Sequence, residues 1–227
     1  MSEKSDAVTL LDAVLMHVPF DGWSEAALRA ACDDTGIPME AARQHFPRGA
    51  VDMAFAYHKR GDAVMVAALR ERDLSALRFR DRIALAVRLR LEAADRELVR
   101  RGMTLFTLPQ HAADGSRALW ETAGLIWDTL GDTSRDVNWY TKRATLAAVY
   151  SSTVLYWLGD ESVGYEATWA FLDRRIDDVM KIEDVKGRVR GTRLWDALMA
   201  GPPGKMLDMI RAPGTPRPGY PGSWDRS

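Results

Sequence analysis

A formal net charge of -1 on 227 residues supplies no long-range attraction for nucleic acid or anionic lipid. The 47% hydrophobic and 28% charged residues suit one domain with a substantial core, or one domain with an appendage. The single cysteine, Cys32, excludes an internal disulfide and fits a reducing compartment.

Helical periodicity begins at once. Leu10, Leu11, Val14 and Leu15 form a stripe predicted to end at Pro19. Ser24 and Glu25 open a second helix, with Ala27, Leu28 and Ala31 inward, that stops before Gly36. Pro38, at a first helical position, starts a short third helix closed by Phe46 and Pro47. A long helix is predicted from Val51 to Arg72 and another from Arg80 to Arg100. The second carries Ile83, Val87, Leu91 and Leu98 on one face and arginines opposite, a solvated face or a surface for anionic headgroups. Pro109 and "ADGS" break the pattern, and helices follow over 116–130, 136–158, 163–183 and 190–200. From Gly201 onward, six prolines and five glycines in 27 residues fit a mobile tail rather than a packed element.

The reading is therefore all-α, a bundle of about nine helices in three parts. Residues 1–50 form a helix-turn-helix-like unit, 51–200 a helical region, and 201–227 a Pro/Gly-rich flexible tail. The longest uncharged run, Ala144 to Gly159, has 16 residues, roughly 24 Å as helix against the ~30 Å of a hydrocarbon core. It reads as a buried central helix and not as a membrane span. Acidic and polar residues crowd the first twelve positions, with neither a secretory nor an Arg-rich targeting pattern. A cytoplasmic location is expected, with peripheral contact on the inner face of the cytoplasmic membrane as its extension.

Catalytic patterns are missing. The four histidines (His17, His45, His58, His111) are scattered, and no phosphate loop or nucleophile elbow occurs. No metal, no cofactor and no catalytic residue are expected, and the chain reads as a non-enzyme. The N-terminal unit resembles the DNA-binding head of TetR-type regulators. Residues 1–50 nevertheless hold eight acidic and four basic residues, and Gly49 stands where those regulators usually carry a phosphate-contacting Lys. No nucleic-acid partner is expected, because DNA binding needs a basic footprint.

Two constellations remain. In "DVNWYTKR", Asp136, Trp139, Tyr140 and Arg143 fall at i, i+3, i+4 and i+7 and share one helical face. So mixed a face is either an internally satisfied network or a docking site, and Asp136 can also serve simply as a helix cap. In the next turns Ala144, Ala147, Ala148 and Ser151 leave room beside Tyr150, Val154, Tyr156 and Trp157. With Trp120 and Trp127 before them and Trp169 and Phe171 after, they read as the wall of an apolar tunnel or as the central helix of a plain bundle.

The stretches "HVPFDGWSEAALRAA" (17–31), "IWDTLGDTSRDVNWYTKRATLAAVYSSTVLYWL" (126–158) and "TWAFLDRRIDDVM" (168–180) carry a resemblance. They are similar to the ubiquinone-biosynthesis accessory lipid-binding proteins, the ninth Coq protein. The resemblance implies a TetR-like fold, a homodimer, an isoprenoid lipid (a ubiquinone precursor) as ligand, and the di-iron demethoxyubiquinone hydroxylase as partner. The apolar wall read from the spacing would hold that lipid at Trp120, Trp127, Ala144, Ala147, Tyr150, Ser151, Val154, Trp157 and Trp169. By the resemblance, the partner falls to Asp136, Trp139, Tyr140 and Arg143, joined by Leu108 and Pro109. Membrane contact falls to Leu194, Trp195, Leu198, Met206, Met209 and Ile210, although the intervening "GPPG" would break one continuous helix. The expected function is to hold a quinone precursor and present it to the hydroxylase. The alternatives are a TetR-like ligand-responsive regulator and a purely structural dimeric scaffold.

Overall fold

The computed structural model describes residues 2–190, with side-chain surroundings for 6–181. Among them lie nine α-helices and no strand. They are α1 (Ser2–Asp21), α2 (Glu25–Thr35), α3 (Met39–His45), α4 (Ala50–Arg70), α5 (Phe79–Glu92), α6 (Arg96–Phe106), α7 (Ala112–Thr129), α8 (Val137–Gly159) and α9 (Glu166–Arg190). A 3-10 turn, Val163–Tyr165, leads into α9. The segments predicted for 190–200 and 201–227, and with them Leu194, Trp195, Leu198, Met206, Met209 and Ile210, lie outside the described residues.

Local chemistry accounts for the borders. The Ser24 hydroxyl accepts from Ala27 N at 3.2 Å to open α2, and Gly36 closes it with φ +70°. Pro38 stands one place outside α3, as its cap residue, rather than at the first helical position. Pro19 does not end α1. It falls in the last turn, and the helix continues to Asp21, with Gly22 N donating to Val18 O at 2.9 Å. The helix predicted over 80–100 is two helices, because Asp95 accepts from Glu97 N and Leu98 N (2.9 and 3.0 Å) and starts α6 afresh. "ADGS" is not a break but the first turn of α7. Asp114 is held there by Arg48 at 3.0 Å, and Gly115 lets the backbone pass close to Phe106.

Two apolar cores stack along the molecule. The first joins α1, α2 and α3 to the start of α4 and to Leu98 of α6. The second joins the end of α4 to α5, α7, α8 and α9 around Met65, Val87, Ile126, Tyr150 and Trp157. The first core crosses the expected boundary at residue 50, since Met53, Ala54 and Leu98 belong to it and Trp23 Nε1 donates to Leu98 O at 3.1 Å. None of the described helices is long and apolar enough to cross a membrane.

Candidate functional site

Between the two cores the helices do not close. A cavity of about 320 Å³ is framed by Trp23, Tyr57, Phe106 and Tyr150, with Ala54, Gly102, Ala118 and Gly115 as its small walls. This volume is at the lower end of small-molecule sites. Its exposed rim is Thr107, just after α6, with Ala112 and Ser116 in the first turns of α7. The room comes from α4, α6 and α7 as much as from α8. Gly102 is buried with Trp23 Nε1 3.5 Å from the place of a Cβ, and at Gly115 a Cβ would meet Phe106 Cβ at 2.9 Å.

The sequence-derived lining is met in part. Tyr150, Ser151 and Val154 line the cavity. Trp157 belongs to the second core, edge-on to Tyr165 at 6.0 Å. Trp169 donates to Gly164 O at 2.8 Å under the Arg88 guanidinium. Ala144 is exposed, and Ala147 packs against the second core. Trp120 and Trp127, seven residues apart, line separate clefts, one with Trp139 and one with Phe79. Trp127 is further fixed by donating to Lys142 O at 3.1 Å.

A closed polar ring floors the cavity. Arg90 Nε donates to Asp62 Oδ1 at 2.6 Å, and its Nη2 donates to His58 O at 2.9 Å and lies 3.2 Å from His58 Nδ1. A guanidinium can only donate, so Nδ1 accepts and Nε2 carries the proton. That proton points to Thr122 Oγ1 at 2.7 Å, and the Thr122 hydroxyl in turn reaches Asp62 at 2.9 Å. Asp62, Arg90 and Thr122 are buried. Burial, with Arg90 beside it, lowers the His58 imidazole from its ordinary 6.5 to about 4, so it is neutral at pH 7. Burial pushes the Tyr57 and Tyr150 phenols up, so both stay protonated.

A pH dependence follows from the imidazole. Between pH 6.5 and about 4 the unfolded chain protonates His58 and the folded chain does not. Stability therefore falls as pH drops through that window, by roughly 3 kcal/mol across it. Carboxylates titrate there too, so the measure is the difference between wild type and His58→Gln in urea melts at several pH values. The variant is expected to flatten the slope, and an unchanged slope would remove the neutral-imidazole assignment.

The face 136–143 is a second cluster, on the side of α4, α7 and the start of α8. Asp136 is the cap of α8, accepting from Asn138 N at 3.0 Å. Arg143 is not on the surface. It is 2% exposed, bonded to Asp128 at 2.5 Å and Asp132 at 3.3 Å, and its guanidinium lies 4.1 Å from the Trp139 ring centre. Trp139 and Tyr140 are half-buried, edge-on to each other at 4.8 Å, with Trp120 beside both. Trp120, Leu125, Lys59, Glu121, Asp128 and Trp139 line an open groove. Leu108 and Pro109 are exposed, on the loop between Thr107 and Ala112, and do not line the cavity.

Comparison with known proteins bears on these features. Residues 112–183, covering α7, α8 and most of α9, match the COQ9 family model. The mitochondrial ubiquinone biosynthesis protein COQ9 of Drosophila melanogaster is 31% identical over 202 residues, 83% of this chain and 60% of that protein. The chain is a COQ9 homologue. The COQ9 proteins of Rattus norvegicus and Homo sapiens are 30% and 29% identical over 209 residues, 88% of this chain and 66% and 65% of theirs. The chain thus spans less than two thirds of the length of these COQ9 proteins. The TetR transcriptional regulator of Nitrosomonas europaea ATCC 19718 superposes with a TM-score of 0.62 at 18% identity, over 76% of this chain and 96% of that one. The fold is TetR-like.

One expectation is corrected here. The COQ9 relatives are named as mitochondrial proteins, which overturns the cytoplasmic location. That location rested on the composition of the first twelve residues, and a chain spanning only part of its relatives' length carries no such information at its start.

Proposed function

We propose that this COQ9 homologue serves ubiquinone biosynthesis as an accessory protein. It holds an isoprenoid quinone precursor in the cavity between the two cores and delivers it to a di-iron demethoxyubiquinone hydroxylase. The observation that carries this reading is the apolar cavity of about 320 Å³ in a chain similar to proteins named for ubiquinone biosynthesis. Each buried CH₂ contributes ~0.8 kcal/mol, so a few isoprene units give useful affinity after ordering costs. No covalent step is assigned to this chain. A dimer through α8 and α9 fits the same reading, because Thr141, Ala144, Ala148, Ser152 and Leu155 make an outward, uncharged stripe on α8.

The direct test is gentle purification followed by mass spectrometry of the lipid that accompanies the protein. An isoprenoid quinone or precursor is expected, and added ubiquinone should raise the melting temperature by mass action. A protein that carries no lipid and gains nothing from ubiquinone loses this function. The ligand-responsive regulator keeps the fold and the cavity, but its reading helix is poorly charged. Arg43 is paired with Glu25 at 2.8 Å, and Arg48 with Asp52 and Asp114.

Trp139 is the proposed anchor for the hydroxylase, with Trp120 and Leu125 beside it in the groove. Trp139→Ala is expected to weaken capture of the hydroxylase about thirtyfold or more, the scale of an aromatic hot spot. Loss of a half-buried ring over Arg143 should cost only about 1–2 kcal/mol of stability. Pull-down and melting are measured on one sample. Undiminished capture would remove the anchor.

A further inference from the structure

The cavity floor has hydrogen-bonding capacity that the protein does not use. In the ring of Arg90, His58, Thr122 and Asp62, both His58 nitrogens and two of the three Arg90 nitrogens have partners. Among the described residues, Arg90 Nη1 and the Tyr150 hydroxyl make no hydrogen bond. Neither belongs to the sealed, unsatisfied polar atoms, and both side chains line the cavity. Both residues are buried, so these donors open onto the cavity and not onto bulk water. Both donors sit in the buried part of the cavity wall. The exposed side is the rim at Thr107, Ala112 and Ser116.

Charge narrows what these donors can take. Arg90 is already ion-paired with Asp62, and His58 is neutral. A carboxylate or phosphate arriving here would be a buried anion without its own counter-charge, which is costly. A neutral oxygen acceptor would satisfy both donors at no such cost. Size and donors together give the orientation. A cavity of about 320 Å³, at the lower end for small-molecule sites, is smaller than a ring carrying a long prenyl chain. A long prenyl chain must leave through the α6–α7 rim.

Resting on the reading that the cavity binds a prenylated quinone, we infer that the ligand enters ring first. Arg90 and Tyr150 donate to a neutral ring oxygen, and the tail exits past Thr107 and Ser116.

The test uses the full chain and three probes: ubiquinone with two isoprene units, the ring-free hydrocarbon β-farnesene, and oleate. Tyr150→Phe removes one hydroxyl and keeps the packed ring. It is expected to weaken ubiquinone about tenfold and to leave β-farnesene unchanged. Wild type should bind oleate more weakly than ubiquinone. The infrared stretch of a bound ubiquinone carbonyl should fall relative to ubiquinone in hexane, and fall less in the variant. This readout holds even if the variant loses stability. If ubiquinone binds wild type but its carbonyl is unshifted, or Tyr150→Phe leaves its affinity unaltered, the ring-first orientation is overturned while quinone binding stands. If oleate binds as tightly as ubiquinone, the neutral-head requirement is overturned. If none of the probes binds wild type, the proposed function falls and this inference with it.

Discussion

Arg143→Met is expected to lower the melting temperature by roughly 6–12 °C, from a loss of about 3 kcal/mol in a chain of this size. The cause is burial. The guanidinium is 2% exposed, and its Nη1 reaches Asp132, whose side chain is 3% exposed. Burial raises the Asp132 carboxyl, but hydrogen bonds from Lys142 and Ser134 outweigh it and hold the group below the usual carboxylate range. It therefore stays ionised when Arg143 is removed. Lys142 remains at 2.8 Å, which keeps the loss at the lower end for a broken buried pair. Asp128 is largely solvated and loses little. A surface handle for a partner would give the opposite pattern, normal melting and failed capture. Melting and hydroxylase capture of Arg143→Met and Trp139→Ala, side by side, separate the two roles: Arg143 builds the shelf on which Trp139 rests.

Helix borders written in local chemistry were legible in the chain. Ser24 and Gly36 bracket α2 because a hydroxyl and a left-handed glycine act within a few residues of themselves. The break at Ala93 and Ala94 was not legible, since both are good helix formers and the apolar period of α5 runs on to Leu98. Only the Asp95 cap stops it. The mixed face at 136–143 was visible as an oddity with two explanations. Its Arg resolves as the internal one because Asp128 at the end of α7 and Asp132 in the following turn reach it, which helical spacing within α8 cannot register. The clustered small residues of α8 point to only one wall of the cavity. The cavity itself lies between the two cores, where Ala54 of α4, Gly102 of α6 and Gly115 of α7 meet it from helices far apart in sequence. The polar floor was hidden for the same reason. His58 and Asp62 are one turn apart, but Arg90 and Thr122 join them only through the packing of α5 and α7 on α4.

Arg90→Met is expected to be the most damaging single change, costing about 4–5 kcal/mol. Arg90 and Asp62 are 4% and 3% exposed at their side chains and meet at 2.6 Å. Removing the cation leaves a buried carboxylate with the Thr122 hydroxyl as its remaining close donor, and takes the donor from His58 Nδ1. Nothing comparable to Lys142 stands by, which is why the expected loss exceeds that at Arg143. The same ring explains Gly61. Helix propensity alone says that Gly61→Ala inside α4 should stabilise by about 1 kcal/mol. A Cβ there would meet Arg90 Nη1 at 2.6 Å and its Cζ at 2.7 Å. Any shift of the guanidinium away from Gly61, even into the cavity, breaks its bonds to Asp62 and His58. Gly61→Ala is therefore expected to destabilise by about 2 kcal/mol, the cost of loosening a buried hydrogen-bonded charge. Urea unfolding of both variants decides it. If Gly61→Ala is more stable than wild type, the guanidinium is not held as described, and the floor of the cavity is softer than its hydrogen bonds imply.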